Sequence, residues 1–216
     1  MNTTEVIDII TLILALMVAI IGHEIMHGAV AYKYGDNTAK SQGRLSINPI
    51  VHIDPIGTIL VPAMLYFSGA GFLFGWAKPV PINERTVIEN GGYNGAIAVS
   101  LAGIAFNFTL ALMAMILLGF LPPVDSLLLY FIKAFLTYTL IYNVVLGVFN
   151  LFPIPPLDGS HALSHLFSKF GIYQVAEFFN KISPYGMIFL IIIIATPLSG
   201  IIFEPIRFII NMLLPS

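Results

Sequence analysis

"VIDIITLILALMVAIIGHEIMHGAVAY", Val6 to Tyr32, is apolar enough to cross a bilayer once, yet it holds His23, Glu24 and His27 in its second half. About 20 apolar residues span a hydrocarbon core, so the run predicts one long helix. Titratable groups are costly at that depth and are retained for a function. His23 and His27 are four residues apart, one turn along the same face, so both imidazoles can reach one ion. Glu24 is offset by about 100° on the helical wheel, where it reaches a water on that ion rather than the ion itself. H-E-x-x-H on a helix has this mechanical content: two zinc ligands and a general base. The bland alternative is a pair of pore-lining or interhelical hydrogen-bonding histidines. Each added polar group in hydrocarbon needs its own reason, which weighs against it.

Composition agrees with a membrane setting. Of 216 residues, 58% are hydrophobic and only 9% charged, against roughly 25% charged in a soluble domain. Such a chain cannot cover itself with a solvated surface, so the lipid bilayer is its expected surrounding. The net charge of −2 excludes nucleic acid as a partner on electrostatic grounds. There is no cysteine, so any metal must be held by His, Asp or Glu. Glu5 and Asp8 precede the first apolar run, and no Lys or Arg occurs before Lys33. That is unlike a signal peptide, and the segment is expected to stay as the first span.

Further spans are expected at about 94–120 and 127–150, with "LPPVDS" (121–126) as the turn between them. Residues 33–55 are mixed and polar, and the β-prone pieces between Gly43, Asn48-Pro49 and Asp54-Pro55 predict a small hairpin. Residues 160–182 are amphipathic, 184–196 apolar, and 201–214 a final interfacial or spanning helix. The fold class expected is an all-α polytopic membrane protein, a bundle of about 4–6 spans with a β-hairpin or re-entrant region after the first helix. No repeat or soluble domain interrupts it, so residues 1–216 read as one domain. Lys33, Lys40, Arg44, Lys78, Arg85, Lys169 and Lys181 fall in 33–55, 76–92 and 160–182. The positive-inside rule puts those loops in the cytosol and the N-terminus outside. Residues 56–75 then lie between two cytosolic loops and are expected to be re-entrant rather than spanning.

A catalytic zinc takes three protein ligands and keeps one open position. Candidates for the third are His52, Asp54, Glu89, Asp125, Asp158, His161, His165, Glu177 and Glu204. Asp158 stands out in "NLFPIPPLDG", a Pro-broken segment at the end of a span and at the same depth as HEIMH. From spacing alone, ligand and ordinary turn or N-cap are equal readings of that Asp-Gly.

HEIMH in an apolar helix, followed by N-x-x-P-x-P-P-L-D-G from Asn150 to Gly159, resembles the site-2 protease family of intramembrane zinc metalloproteases. "GRLSINPIVHIDPIGTILVP" (43–62) and "GWAKPVPIN" (75–83) are similar to its small bacterial and archaeal branch, which lacks a PDZ or CBS domain. The resemblance covers most of residues 20–160. It implies one zinc per chain on His23, His27 and Asp158, with Glu24 as the base. It implies that Asn150 positions substrate or polarises the scissile carbonyl. "LAGIAFN" (101–107) is similar to the family's A-G-P-x-x-N segment, with Ile104 in place of the proline and Asn107 matching the family asparagine. His161 stands where the family often has Arg.

The family implies cleavage of membrane-anchored proteins in regulated intramembrane proteolysis, or clearance of signal-peptide remnants, at a cell membrane with the site towards the cytosol. Two other readings are a metal-binding transporter and a catalytically silent scaffold. His52 and Asp54 read mainly as loop packing, and Lys133 as a snorkelling residue.

Overall fold

The computed structural model describes residues 2–69 and 75–214. The first helix, α1, is Thr3–Lys33. Asn2 caps it: its side chain accepts from Glu5 N at 2.8 Å, while Glu5 Oε2 accepts from Asn2 N at 3.1 Å. Along α1 every fourth residue from Thr11 to Ala31 is buried: Thr11, Ala15, Ala19, His23, His27 and Ala31. Small residues on that stripe let neighbouring backbones approach closely, and the two histidines occupy the same stripe. The opposite side exposes Val6, Ile9, Ile10, Ile13, Leu14 and Val18.

Two long helices close on that stripe. α4 spans Glu84–Phe120 and α5 spans Leu127–Leu151, and α1, α4 and α5 pack against one another. α4 breaks at Gly92, where φ 58° and ψ −166° suit glycine. Two turns, 84–91, therefore precede the span expected to begin at 94. On α4 the buried residues Ala96, Ser100, Gly103, Asn107, Ala111, Ala114 and Leu118 recur every three or four positions.

Short helices complete the order: α2 Thr38–Ser41, α3 Val61–Phe67, α6 Asp158–Lys169, α7 Tyr173–Ile182, α8 Gly186–Ala195 and α9 Ser199–Leu213. α6 packs on α4, and α9 adds Ile202 and Ile206 to the core around Leu140 and Val144 of α5. Among the described residues, four stretches are long and apolar enough to cross a membrane: Thr3–Lys33, Glu84–Phe120, Leu127–Leu151 and Tyr173–Ala195. The last joins α7 to α8 through the turn Ser183–Tyr185, so the amphipathic 160–182 region leads directly into a candidate span. At 15 residues α9 is about 22 Å long, short of a hydrocarbon core.

The hairpin expected in 33–55 does not form: there is no strand among the described residues. Both Asx-Pro pairs start helical turns instead. Asn48 accepts from Ile50 N at 3.1 Å and opens the 3₁₀ turn Pro49–His52. Asp54 accepts from Ile56 N at 2.9 Å and Gly57 N at 2.7 Å and opens the π-helical turn Pro55–Leu60. Proline's fixed φ at a first helical position favours that outcome. Residues 70–74 of the segment expected to be re-entrant lie outside the described residues. Residues 75–83 have no regular secondary structure; Trp76 N donates to Gly57 O at 3.1 Å and Lys78 N to His52 O at 2.9 Å.

Candidate active site

Three elements meet at one point. α1 brings His23 and His27; the Pro-broken turn after α5 delivers Asp158 as the first residue of α6. Leu157, not Asp158, is the N-cap of α6, so the Asp158 carboxylate is not spent on capping. Its Oδ2 lies 3.0 Å from His23 Nε2 and 3.2 Å from His27 Nε2. The two Nε2 atoms are 3.0 Å apart. Gly103 makes room: a Cβ there would meet the His23 ring at 2.5 Å.

The hydrogen-bond network shows what this cluster requires. Asn107 Nδ2 donates to Asn143 Oδ1 at 2.8 Å and to Ala19 O at 3.2 Å. Its carbonyl oxygen is therefore the atom facing His23 Nδ1, at 2.6 Å. His27 Nδ1 meets another carbonyl, Val99 O, at 2.7 Å. Both imidazoles must donate from Nδ1, which, with both rings neutral, leaves their Nε2 lone pairs pointing at each other and at a carboxylate. Asp158 Oδ2 is buried with no hydrogen-bond donor. Three acceptors in mutual contact repel unless a cation lies among them. Two imidazoles and one carboxylate are the ligand types of a catalytic zinc with one open position. Among the described residues, these three are the group of metal-binding side chains whose donor atoms lie within 4.8 Å of one another.

The cluster opens into a cavity of about 620 Å³. Glu24 lines it, and its Oε2 accepts the Val80 N–H at 2.8 Å. Asn150 lines it too; its Nδ2 donates to Leu146 O at 3.0 Å, leaving a second N–H on that amide. Part of the 75–83 run, including Ala77, Pro79 and Val80, forms one wall.

A profile of the peptidase family M50 matches residues 124–194. Several relatives carry the name "Putative zinc metalloprotease". YwhC of Bacillus subtilis is 36% identical over 198 residues, 90% of this chain and 84% of the relative. The chain belongs to peptidase family M50, the site-2 proteases. MJ0611 of Methanocaldococcus jannaschii is 35% identical over 75% of this chain and 73% of its own length. Rip2 of Mycolicibacterium smegmatis is 27% identical over 81% of this chain and 62% of its own. No solved structure matches significantly. This family member is a multi-pass membrane protein and a zinc metalloprotease.

The nine candidates for a third ligand now separate. Asp158 alone among them joins the histidine pair. His52 is buried away from it, with Nε2 2.8 Å from Ser46 O, and Asp54 caps a turn. Glu89 pairs with Arg85 at 2.8 Å. Asp125, Glu177 and Glu204 do not line the cavity. His161 and His165 do, beside Glu84.

Three supports were not legible as parts of the site. Asn143, fully buried, orients Asn107 and donates to Thr139 O at 2.8 Å. It is an amide near the middle of an apolar helix, and the cost argument applied to HEIMH would have singled it out. The Val99 carbonyl and the Val80 N–H are backbone groups and leave no mark in side-chain identity.

Proposed function

We propose that this protease hydrolyses peptide bonds within or near the membrane-spanning segments of membrane-anchored proteins, and that His23, His27 and Asp158 hold its zinc. The observation that carries the assignment is the convergence of two histidine Nε2 atoms and one carboxylate oxygen to 3.0–3.2 Å, with each Nδ1 held by a carbonyl. Bound there, zinc supplies Lewis acidity to the scissile carbonyl and lowers the pKa of a water. Glu24, one residue from His23 and on the cavity wall, takes the proton of the attacking water and passes it to the leaving amine. The Val80 N–H holds Glu24 in place. The remaining N–H of Asn150 steadies the developing oxyanion or the substrate strand.

A helical substrate hides its peptide bonds and must unwind. The 75–83 run beside the site, outside any helix, offers a surface for main-chain pairing. Trp76, Lys78 and Val80 already direct their N–H groups to Gly57, His52 and Glu24. Pro79 and Pro81 have no N–H to compete, which leaves carbonyl groups of the run to accept from an incoming strand. The basic residues Lys33, Lys40, Arg44 and Lys78 support a cytosolic site and an outside N-terminus.

The test is a purified protein in vesicles with a single-span substrate. Glu24→Gln is expected to keep one zinc per chain and lose cleavage; cleavage at the wild-type rate in that variant would refute the assignment. Orientation is read separately. The chain has no cysteine, so single cysteines at Thr4 and Ser41 report their own sides. Labelling of Ser41→Cys from the cell exterior would reverse the proposed topology.

A further inference from the structure

Arg44, in "GRLSINP" (43–49), is buried, with 5% of its surface exposed. Arginine is seldom buried unless it is paired, because a guanidinium taken out of water loses its hydration. Among the described residues no carboxylate lies within ion-pair distance of it, and its buried Nε has no hydrogen-bond partner. The guanidinium holds one backbone oxygen instead: Nη2 donates to Lys78 O at 2.6 Å. A charge kept buried on a single carbonyl needs a reason, and the place of that carbonyl in the chain supplies one.

Lys78 is held at both of its backbone polar groups. Its carbonyl accepts from Arg44, and its N–H donates to His52 O at 2.9 Å. Two residues on, Val80 N donates to Glu24 Oε2 at 2.8 Å. Among the described residues that is the one hydrogen bond on the Glu24 carboxylate. Pro79 stands between Lys78 and Val80, and its fixed φ limits how far Val80 can swing once Lys78 is anchored. The loop of Arg44 also reaches α1 directly. A Cβ on Gly28 would lie 2.6 Å from Leu45 Cδ2 and 3.0 Å from Val80 Cγ1. The residue after Arg44 and Val80 therefore both rest on α1 about one turn beyond Glu24. His52 Nε2, 2.8 Å from Ser46 O, ties the two ends of the 46–52 loop together, and the His52 ring is buried.

We infer that Arg44 is a positioning residue for the hydrolysis: it fixes the Lys78 carbonyl, which fixes Val80, whose N–H aims the carboxylate of Glu24. The inference rests on the reading of Glu24 as the base. Arg44 does not line the cavity, so it acts through the main chain and touches no reacting atom. A charged donor suits the task, because its hydrogen bonds are shorter and stronger than those of a neutral one. Without it the 76–80 run is held by fewer bonds, and Glu24 can turn away from the attacking water.

The test compares Arg44→Met and Arg44→Lys in the full-length protein. Methionine keeps an unbranched apolar stem and removes the donor; replacing a buried charge by an apolar chain is compatible with a stable fold. Arg44→Met is expected to keep its zinc and its thermal midpoint, and to exchange the backbone amides of 76–83 faster than wild type. Its kcat on a single-span substrate in vesicles is expected to fall by about 10- to 100-fold with KM unchanged, since a misplacement of about 1 Å can cost about 100-fold. Arg44→Lys, which retains a charged donor, is expected to recover most of the loss. Wild-type kcat in Arg44→Met overturns the inference, as does unchanged exchange in 76–83. A defect carried by KM alone overturns it too, because Arg44 would then serve substrate docking. Loss of zinc or of the fold in Arg44→Met, or an Arg44→Lys no more active than Arg44→Met, makes Arg44 a structural residue only. The exchange measurement needs no cleavage. If Glu24→Gln cleaves at the wild-type rate, the reading of Glu24 as base fails, while 76–83 still reports whether Arg44 holds the run.

Discussion

Two histidine pairs with the same four-residue spacing sit in one cavity and differ in everything else. His23 and His27 are buried, and each ring is held by a carbonyl at 2.6–2.7 Å on Nδ1. Their donor atoms converge with Asp158 to 3.0–3.2 Å. His161 and His165 have no such support, and their shared carboxylate stands 3.8–4.0 Å away on a half-exposed Glu84. Spacing makes a pair that can face one ion. The partners on the far ring nitrogens turn a pair into a preorganised site, because they fix tautomer and ring angle before the ion arrives.

The largest expected effect breaks the metal site outright. Asp158→Ala should lose most of the zinc measured in purified protein and all measurable cleavage, since it leaves two neutral imidazoles to hold the ion. Glu24→Gln comes next: zinc content unchanged, with cleavage reduced by about 10²- to 10⁴-fold, the usual worth of a general base. Asn107→Ala removes the acceptor from His23 Nδ1 and should make the first pair resemble the second. A 10- to 100-fold weaker zinc affinity by chelator competition is expected; unchanged affinity would show that the carbonyl support is not what separates the pairs.

The smallest effect concerns the end of the molecule that carries Glu84. Asp36 is buried and accepts from Thr38 N at 2.9 Å, the Thr38 hydroxyl at 2.5 Å and Asn83 N at 2.7 Å. It ties the end of α1 to the residue before Glu84. Burial alone would raise its carboxyl, but these bonds from Thr38 and Asn83 hold it below the usual value of 3.8. A depressed carboxyl stabilises the fold above its unfolded-state pKa, and the contribution fades as pH falls through the lower folded value. Asp36→Asn should therefore cost about 1.5–3 kcal/mol near pH 7 in thermal unfolding, the range for hydrogen bonds to a charged group. The gap from wild type should close below about pH 4. The zinc content is expected to stay; loss of zinc would mean that this tie between α1 and α4 also supports the metal centre.

Much of this was legible. The buried stripe of α1, Thr11 to Ala31 in steps of four, follows from helical periodicity and small side chains. HEIMH stood out because polar groups at membrane depth need a reason, and Asp158 because it ends a span in a Pro-broken segment; from spacing alone it read equally as ligand or turn. The 33–55 region misled, because Asn48-Pro49 and Asp54-Pro55 are equally good as hairpin turns and as helix starts. Nothing local distinguishes them: the carbonyls of Gly57 and His52 pair with the incoming 75–83 run, a partner remote in sequence. The two helical turns before Gly92 were likewise not legible, since Gly91-Gly92 closes a polar loop as readily as it breaks a helix.

By itself the sequence determined the membrane class, the helical spans, the first histidine pair and the absence of thiolate chemistry. These depend on composition and on spacing within one element, and both are written in consecutive residues. Only the tertiary structure decided that Asp158 closes the first pair, that Asn107 and Val99 lock its tautomers, and that Glu84 faces the second pair. Each of those contacts joins helices that are far apart in the chain, and their distances are set by how small residues such as Ala19 and Gly103 let those helices approach.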